Sequence, residues 1–362
     1  MEPGKGPRLT SQNPALPVVD ERPNAFVRLS NSFTLVILAL IVAVFFALRG
    51  LTFLSVPNLN NVLVDTSQLL LLTIGVTFVI ITAGIDLSIS SILILSAVVS
   101  AKAMIHFSGT LAETQAYQFP TQHVGIPIGL VLGVLTGVAC GAINGLLVTR
   151  LQLPSFIVTL GTLGIFLGIA QLMTGGTTVA GVPPAIQNEI GLRNLLGGTP
   201  LGPHFRLIPP MVIAFAIAVV AAIALNKTRF GRYTYAIGSN AAAARRAGID
   251  VDRHLLKVYL VSGLLSGVAG TFDLMRFGTA SVGTHQSDNL AAISAAVIGG
   301  TSLFGGLGTI GGSVIGAFIP VVLRNGLVIS AVPSFWQNVA VGVVLIVAVW
   351  LDQRRRRAEE RM

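Results

Sequence analysis

Asp86 is a carboxylate inside a hydrophobic stretch, in Gly84-Ile85-Asp86-Leu87-Ser88. An acid at membrane depth is costly and marks a pathway, a proton relay or a counter-charge. Two readings of its chemistry stand. Either Asp86 or Ser88 caps the free amides of the following helix, or the pair lines a route for a solute. Asn144, Thr159 and Gln171 are uncharged hydrogen-bonding groups within other apolar stretches. They suit a hydroxyl-rich solute and suit helix-to-helix hydrogen bonds equally well. With Asp86 and Ser88 they form the candidate translocation pathway. Asp65, Asp273 and Asp288 also lie near the ends of apolar segments. Asp273 stands three residues from Arg276, the spacing of an ion pair on one helix face.

No Ser/His/Asp, Cys/His or paired-carboxylate arrangement suggests catalysis, so the chain reads as a non-enzyme. Cys140 is the single cysteine and falls mid-way along an apolar span. It allows no internal disulfide and no cysteine metal cluster, and reads as a small packing residue. The histidines at 106, 123, 204, 254 and 285 show no ligand spacing. Gly306-Leu307-Gly308-Thr309-Ile310-Gly311 matches the dinucleotide fingerprint letter for letter, yet no strand-then-helix unit surrounds it and no acid follows at the required distance. It reads as a flexible break. No Gly-x-x-x-x-Gly-Lys-Ser/Thr loop occurs, so the chain does not hydrolyse ATP by that chemistry. An aromatic content of 7% offers no extended sugar-stacking platform.

The elements that must position these groups are membrane helices. The chain has 362 residues, of which 53% are hydrophobic and 10% charged, against about 25% charged in soluble domains. Only a bilayer can solvate that much apolar surface. A net charge of +9 could suggest nucleic acid, but no basic face with aromatic interleaving is present. Ten hydrophobic segments run approximately Phe33–Leu48, Val64–Thr82, Ile89–Ile105, Gly125–Val148, Ser155–Met173, Ile208–Leu225, Val258–Leu274, Leu290–Gly299, Gly308–Leu327 and Phe335–Trp350. A full span needs about 20 residues, so the eighth is a half-helix. The first is a retained span rather than a signal peptide, because a polar arm precedes it and no small-residue cleavage site follows.

Charge sets the orientation. The arm (1–32), the island Asn226–Lys257 and the tail (351–362, with Arg354–Arg357) are basic and hence cytoplasmic. The stretches His106–Val124 and Gly175–Leu207 are poor in Lys and Arg and are placed outside. Ten crossings satisfy every assignment. The expected organisation is a transmembrane domain over 33–350 between two cytoplasmic termini, with a cytoplasmic loop at 226–257.

The fourth segment carries Gly125, Gly129, Gly133, Gly137, Gly141 and Gly145. This is a nearly flat stripe that drifts slowly, since four residues overshoot a 3.6-residue turn. In lipid it lets another backbone approach closely. Gly308, Gly312 and Gly316 repeat it in brief. Pro154-Ser155-Phe156 recurs as Pro333-Ser334-Phe335, and the same offset lays Gly133 on Gly312 and Gly137 on Gly316. With the orientations above, this is an inverted repeat of the second to fifth against the seventh to tenth spans.

The charged island is the main interruption of the greasy chain. Within it Gly238, Ser239, Asn240, Ala243, Ala244, Arg245, Arg246, Gly248 and Ile249 belong to a short extramembrane helix closed by a glycine. A pore subunit driven by a separate motor needs such an element.

Four blocks together resemble the permease subunits of bacterial ABC importers for monosaccharides of the ribose/xylose/galactose type. They are Thr82–Ser88, Gly141–Val148, Pro154–Thr162 and Val297–Gly306, and the likeness extends from about Asn58 to the C-terminus. The resemblance implies an all-α membrane fold of about ten helices, as in type II ABC importers, in the bacterial inner membrane. It implies two permease copies forming the pore, and a separate ATPase carrying ATP and Mg. A periplasmic sugar-binding protein delivers the solute. Gly238–Ile249 looks like the coupling helix that docks into the ATPase. Where relatives usually place Pro-Glu, this chain has Ala241 and Ala242, and Arg246 replaces an apolar residue, so docking would rely on Arg245 and Arg246. Asn289 and Ala291 stand where relatives often carry acids, which leaves the sugar open. The rival readings are a permease for branched-chain amino acids or another small solute, and an ion-coupled transporter titrating Asp86 or Asp273.

Overall fold

The structure, a computed structural model, describes residues 25–199, 202, 205–333, 335–343, 346–347 and 350. Residues 1–24, His204, Ser334 and the 351–362 tail of the sequence reading lie outside the described residues. The helices in chain order are α1 (Ala25–Arg49), α2 (Val56–Ile81), α3 (Ile89–Phe107), α4 (Leu111–Gln115), α5 (Gln122–Arg150), α6 (Ser155–Thr174), α7 (Pro209–Lys227), α8 (Arg229–Arg246), α9 (Val251–Phe277), α10 (Asp288–Ile298) and α11 (Ile310–Ile329). Residues 335–343 are also helical. Among the described residues, eight helices are long and apolar enough to cross a membrane, and α10 is a shorter apolar helix. The pairing between Val179 and Ala280 is a lone bridge outside any strand.

Local sequence explains most boundaries. Prolines open α2 and α7, where the missing N–H costs nothing. Thr228, Asp250 and Thr309 cap α8, α9 and α11 with side-chain oxygens. Gly175 and Gly278 close α6 and α9 in the left-handed conformation that glycine adopts without steric cost. α2 reaches further back than Val64 because its polar first turns are held inside the protein. Asn58 and Asn325 donate to each other's side-chain carbonyls at 3.0 and 2.9 Å.

α2 is the central post, with 89% of its most apolar window buried. α5, α6 and α7 keep large apolar side chains exposed, among them Val131, Ile157, Leu160, Val219 and Val220. Lipid or another apolar partner must cover them.

The glycine stripe does two jobs in succession. A Cβ on Gly125, Gly129 or Gly133 would collide with Met104, Ser100 or Ser96 of α3 or with Ser108, which caps it. A Cβ on Gly137, Gly141 or Gly145 would collide with α9. The slow drift of the stripe thus moves its contact from one neighbour to the next. On α11, Gly312 and Gly316 press against the Gly299 and Ala295 carbonyls at the end of α10. The α3–α5 contact and the α10–α11 contact are therefore built alike. Asp65 meets Arg276, Gln68 meets Ala269 and Gly75 meets Ser262, so α2 and α9 are antiparallel. α11 is antiparallel to α2 by the Thr77–Ser313 and Asn58–Asn325 contacts. α3 and α9 both run against α5, and α9 and α11 both run against α2, so α5 and α11 point in opposite directions, as an inverted repeat requires.

Candidate functional site: a buried latch, a capped helix tip and a charged cavity

Four of the five candidate pathway residues come together, but in a packed junction. Asp86 is 1% exposed. One carboxylate oxygen accepts from the Ser88 amide at 3.0 Å and the Ser88 hydroxyl at 2.7 Å. The other accepts from the Ser262 hydroxyl of α9 at 2.9 Å. Asn144 of α5 donates to the Ser88 hydroxyl at 2.7 Å. Thr159 of α6 donates to the Ile85 carbonyl at 3.0 Å, and the Ile85 amide donates to Ser155 at 3.1 Å. The 82–88 turn is thus tied to α5, α6 and α9. Neither Asp86 nor Ser88 caps the first-turn amides of α3 with its side chain; Asp86 instead holds the amide of the cap residue itself. Gln171 is exposed on α6 and stands apart from the group.

The segment expected to form a short helix over Gly238–Ile249 is built differently. α8 runs from Arg229 to Arg246 and breaks at Asn240, whose φ of −162° and ψ of 96° leave the helix. Asn240 then acts as a new N-cap: its side-chain oxygen accepts from the Ala243 amide at 2.9 Å. The run Ala241–Arg246 is therefore a separately capped turn at the tip. Gly248 closes it with a φ of +84°, as its residue type predicts. Ala244 packs with Ile237 and Val251, which presses the tip onto the start of α9. Arg245 pairs with Asp252 at 2.7 Å, and Arg246 is exposed.

The long part of α8 is fastened to the 299–309 turn. The Gly306 amide donates to the Ile81 carbonyl at 2.9 Å. A Cβ on Gly238 would overlap that same carbonyl, so only glycine admits α8 here. The Tyr235 hydroxyl donates to the Gly308 carbonyl at 2.6 Å. Burial pushes this phenol up to about 12, so it remains a donor. The glycine-rich run is a backbone junction between α2, α8 and α10–α11, in keeping with its reading as a break rather than a nucleotide loop.

At the other end of α2, about 24 Å away at 1.5 Å per residue from Ile81 to Asp65, lies a cavity of ≈ 380 Å³ between α2, α9, α10 and α11. None of the five candidate pathway residues lines it. Its polar wall holds two charge systems. Arg276 pairs with Asp65. His285 bridges Asp273 at 2.9 Å and Asp288 at 2.7 Å, and Arg324 reaches Asp288 at 3.2 Å. The expected Asp273–Arg276 pair does not form. Asp273 is buried against His285, and Arg276 turns to α2, where Asp65 offers a partner across the helix contact. Burial by itself disfavours a charge on His285, but the Asp273 and Asp288 carboxylates outweigh it and raise the imidazole to about 10. His285-x-x-Asp288 at the mouth of the half-helix was the available signal for this site, and spacing alone did not single it out.

The sequence matches the family described as "Branched-chain amino acid transport system / permease component" over residues 58–349. The D-allose transport system permease protein AlsC of Escherichia coli K12 is 37% identical over 321 residues, 88% of this chain and 90% of the relative. The ribose import permease protein RbsC of Bacillus subtilis 168 is 38% identical over 304 residues, 84% of this chain and 87% of the relative. The xylose transport system permease protein XylH of Escherichia coli K12 is 32% identical over 381 residues, 90% of this chain and 93% of the relative. No solved structure matches the chain. The match to the family covers most of the molecule, including the α8 tip, the 299–309 turn and the charged cavity, and the chain belongs to this family of multi-pass membrane permease components.

Proposed function

We propose that the chain is the membrane-spanning permease subunit of an ATP-binding cassette importer that carries a monosaccharide across the bacterial inner membrane. A separate ATPase subunit binds ATP and Mg and docks on the α8 tip. A periplasmic sugar-binding protein delivers the solute at the opposite end, where the cavity lies. A second permease copy completes the pore, and both termini are cytoplasmic. The single observation that carries this reading is the path from Asn240 to Asp288. The separately capped tip adjoins a helix bolted at Gly238 and Tyr235 to the 299–309 turn, and that turn follows directly on α10, whose first residue, Asp288, lines the cavity. Movement imposed on the tip therefore reaches the far end through contacts too tight to slip. ATP would act by preferring one of two arrangements of this path. The names of the allose, ribose and xylose relatives support a monosaccharide as cargo.

The test is reconstitution in liposomes with the ATPase and binding protein. Accumulation of an aldose that requires ATP and both companions is expected. Uphill accumulation by this chain alone, driven by a proton or sodium gradient, would overturn the reading. ATP-driven uptake of leucine but of no aldose would move the cargo to amino acids.

A further inference from the structure

The cavity between α2, α9, α10 and α11 has charged walls and, once Asp273 behind His285 is counted, a neutral sum. Asp65 is matched by Arg276, and the Asp273 and Asp288 carboxylates together by His285 and Arg324. Its volume of ≈ 380 Å³ lies at the small end of ligand pockets, about 300–1,000 Å³. Both arginine pairs keep partial access: the side chains of Arg276 and Arg324 are 22% and 37% exposed.

We propose that this cavity is a transit site for one neutral, hydroxyl-rich solute of monosaccharide size, gripped between the Asp65–Arg276 and Asp288–Arg324 pairs. The assignment rests on the permease reading above and adds to it a location and a basis for selectivity. A guanidinium holds five N–H donors and a carboxylate has about four acceptor positions, so each pair retains unused capacity. A sugar hydroxyl donates and accepts at once, and two adjacent hydroxyls can bridge both members of a pair without breaking it. Gln68 and Asn325 add neutral amides to the same wall. Leu69 and Pro320 supply an apolar patch for the C–H face of a ring. Pro320 also lacks an amide to bond the Gly316 carbonyl, which loosens α11 beside the cavity. An amino-acid zwitterion fits worse, because its carboxylate and ammonium find every opposite charge already engaged.

The experiment uses the full chain in lipid nanodiscs with Asn61→Cys as a reporter. Asn61 lines the cavity and is exposed, whereas native Cys140 is buried. A charged methanethiosulfonate reagent should label the reporter, and that labelling checks that the variant is folded and the cavity open. D-ribose, D-xylose and D-allose, added at millimolar concentrations because a transit site must also release, are each tested for protection. At least one should slow labelling threefold or more, and leucine should not. Adding Arg276→Gln should abolish protection while leaving the unprotected rate within twofold. Absence of protection by all three sugars, equal protection by leucine, or protection surviving Arg276→Gln would each overturn the site. Uptake by the assembled transporter is read in parallel. ATP-driven aldose uptake with no protection sinks the site alone, whereas protection without ATP-driven uptake sinks the importer reading and leaves the site.

Discussion

Gly137 of α5 and Gly263 of α9 each occupy the space a side chain on the other would need. A Cβ on Gly137 would overlap the Gly263 carbonyl oxygen, and a Cβ on Gly263 would overlap the Gly137 carbonyl oxygen. Neither neighbour is a flexible side chain that can swing aside, so the two helices must separate if either residue grows. In a bilayer, where apolar burial alone gives little reason for helices to associate, such backbone contact holds them together.

Gly137→Ala should therefore lower stability by about 1–3 kcal/mol, the usual scale of overpacking. Gly161→Ala is the matched control, because a Cβ there meets nothing within 4 Å. Thermal unfolding of the two variants in nanodiscs should show a large loss for the first and no loss for the second. Equal melting temperatures would remove the packing role of the stripe.

The Asp86 junction makes a second demand. Three donors converge on its carboxylate, so Asp86→Ala leaves buried groups unsatisfied at about 1–3 kcal/mol. Asp86→Asn retains an acceptor and should cost less. Uptake per folded molecule should change little in the asparagine variant. A gradient-driven carrier titrating Asp86 would instead lose all coupled uptake in that variant while remaining folded, and this split decides between the two roles.

At the α8 tip the two arginines are not equivalent. Reversing Arg245 also breaks its pair with Asp252, which confuses docking with local folding. Arg246→Glu leaves that pair intact. It should reduce uptake by about tenfold, the equivalent of roughly 1.4 kcal/mol of lost docking, with membrane insertion unchanged. Uptake at the wild-type level would show that the motor does not use this charge.

Much of this architecture was legible because it is local and periodic. The glycine repeat of four announced a helix–helix seam, and the offset between Gly133 and Gly312 announced the repeat. Gly248 marked the end of the α8 tip by its residue type. What escaped was set by contacts between distant segments. Asn240 looks like any polar residue in a helical run until the capped turn after it is seen. Asp273 and Arg276 have the spacing of a pair, yet Asp65 and His285, 211 and 12 residues away, decide their partners. The candidate pathway was drawn from polar residues inside apolar spans. The same residue types serve equally well as a latch, and composition does not distinguish the two.

The His285 bridge carries a pH signature. Its folded pKa, about 10, lies above the 6.5 of a free imidazole, so the bridge contributes fully below about pH 6.5 and fades as pH rises through 10. The melting temperature of wild type should exceed that of His285→Gln most at pH 6, and the gap should narrow steadily toward pH 10. A gap that widens with pH would mean that the imidazole is neutral in the folded protein.

The Tyr235–Gly308 bond is the most direct test of how force crosses the molecule. Tyr235→Phe removes one hydroxyl and leaves the ring. Its effect on stability should be about 0.5–1.5 kcal/mol, as for a single hydrogen bond. The effect on transport should be larger, because the bond ties α8, the helix on which the proposed motor would act, to the turn that follows α10. ATP hydrolysis stimulated by the binding protein should continue while solute moved per ATP falls several-fold. Gly238→Ala, which forces α8 off the Ile81 carbonyl, should uncouple further at the same junction. If transport per ATP is unchanged in Tyr235→Phe, the force takes another route, and the remaining candidate is the direct packing of the tip on α9 through Ala244 and Val251.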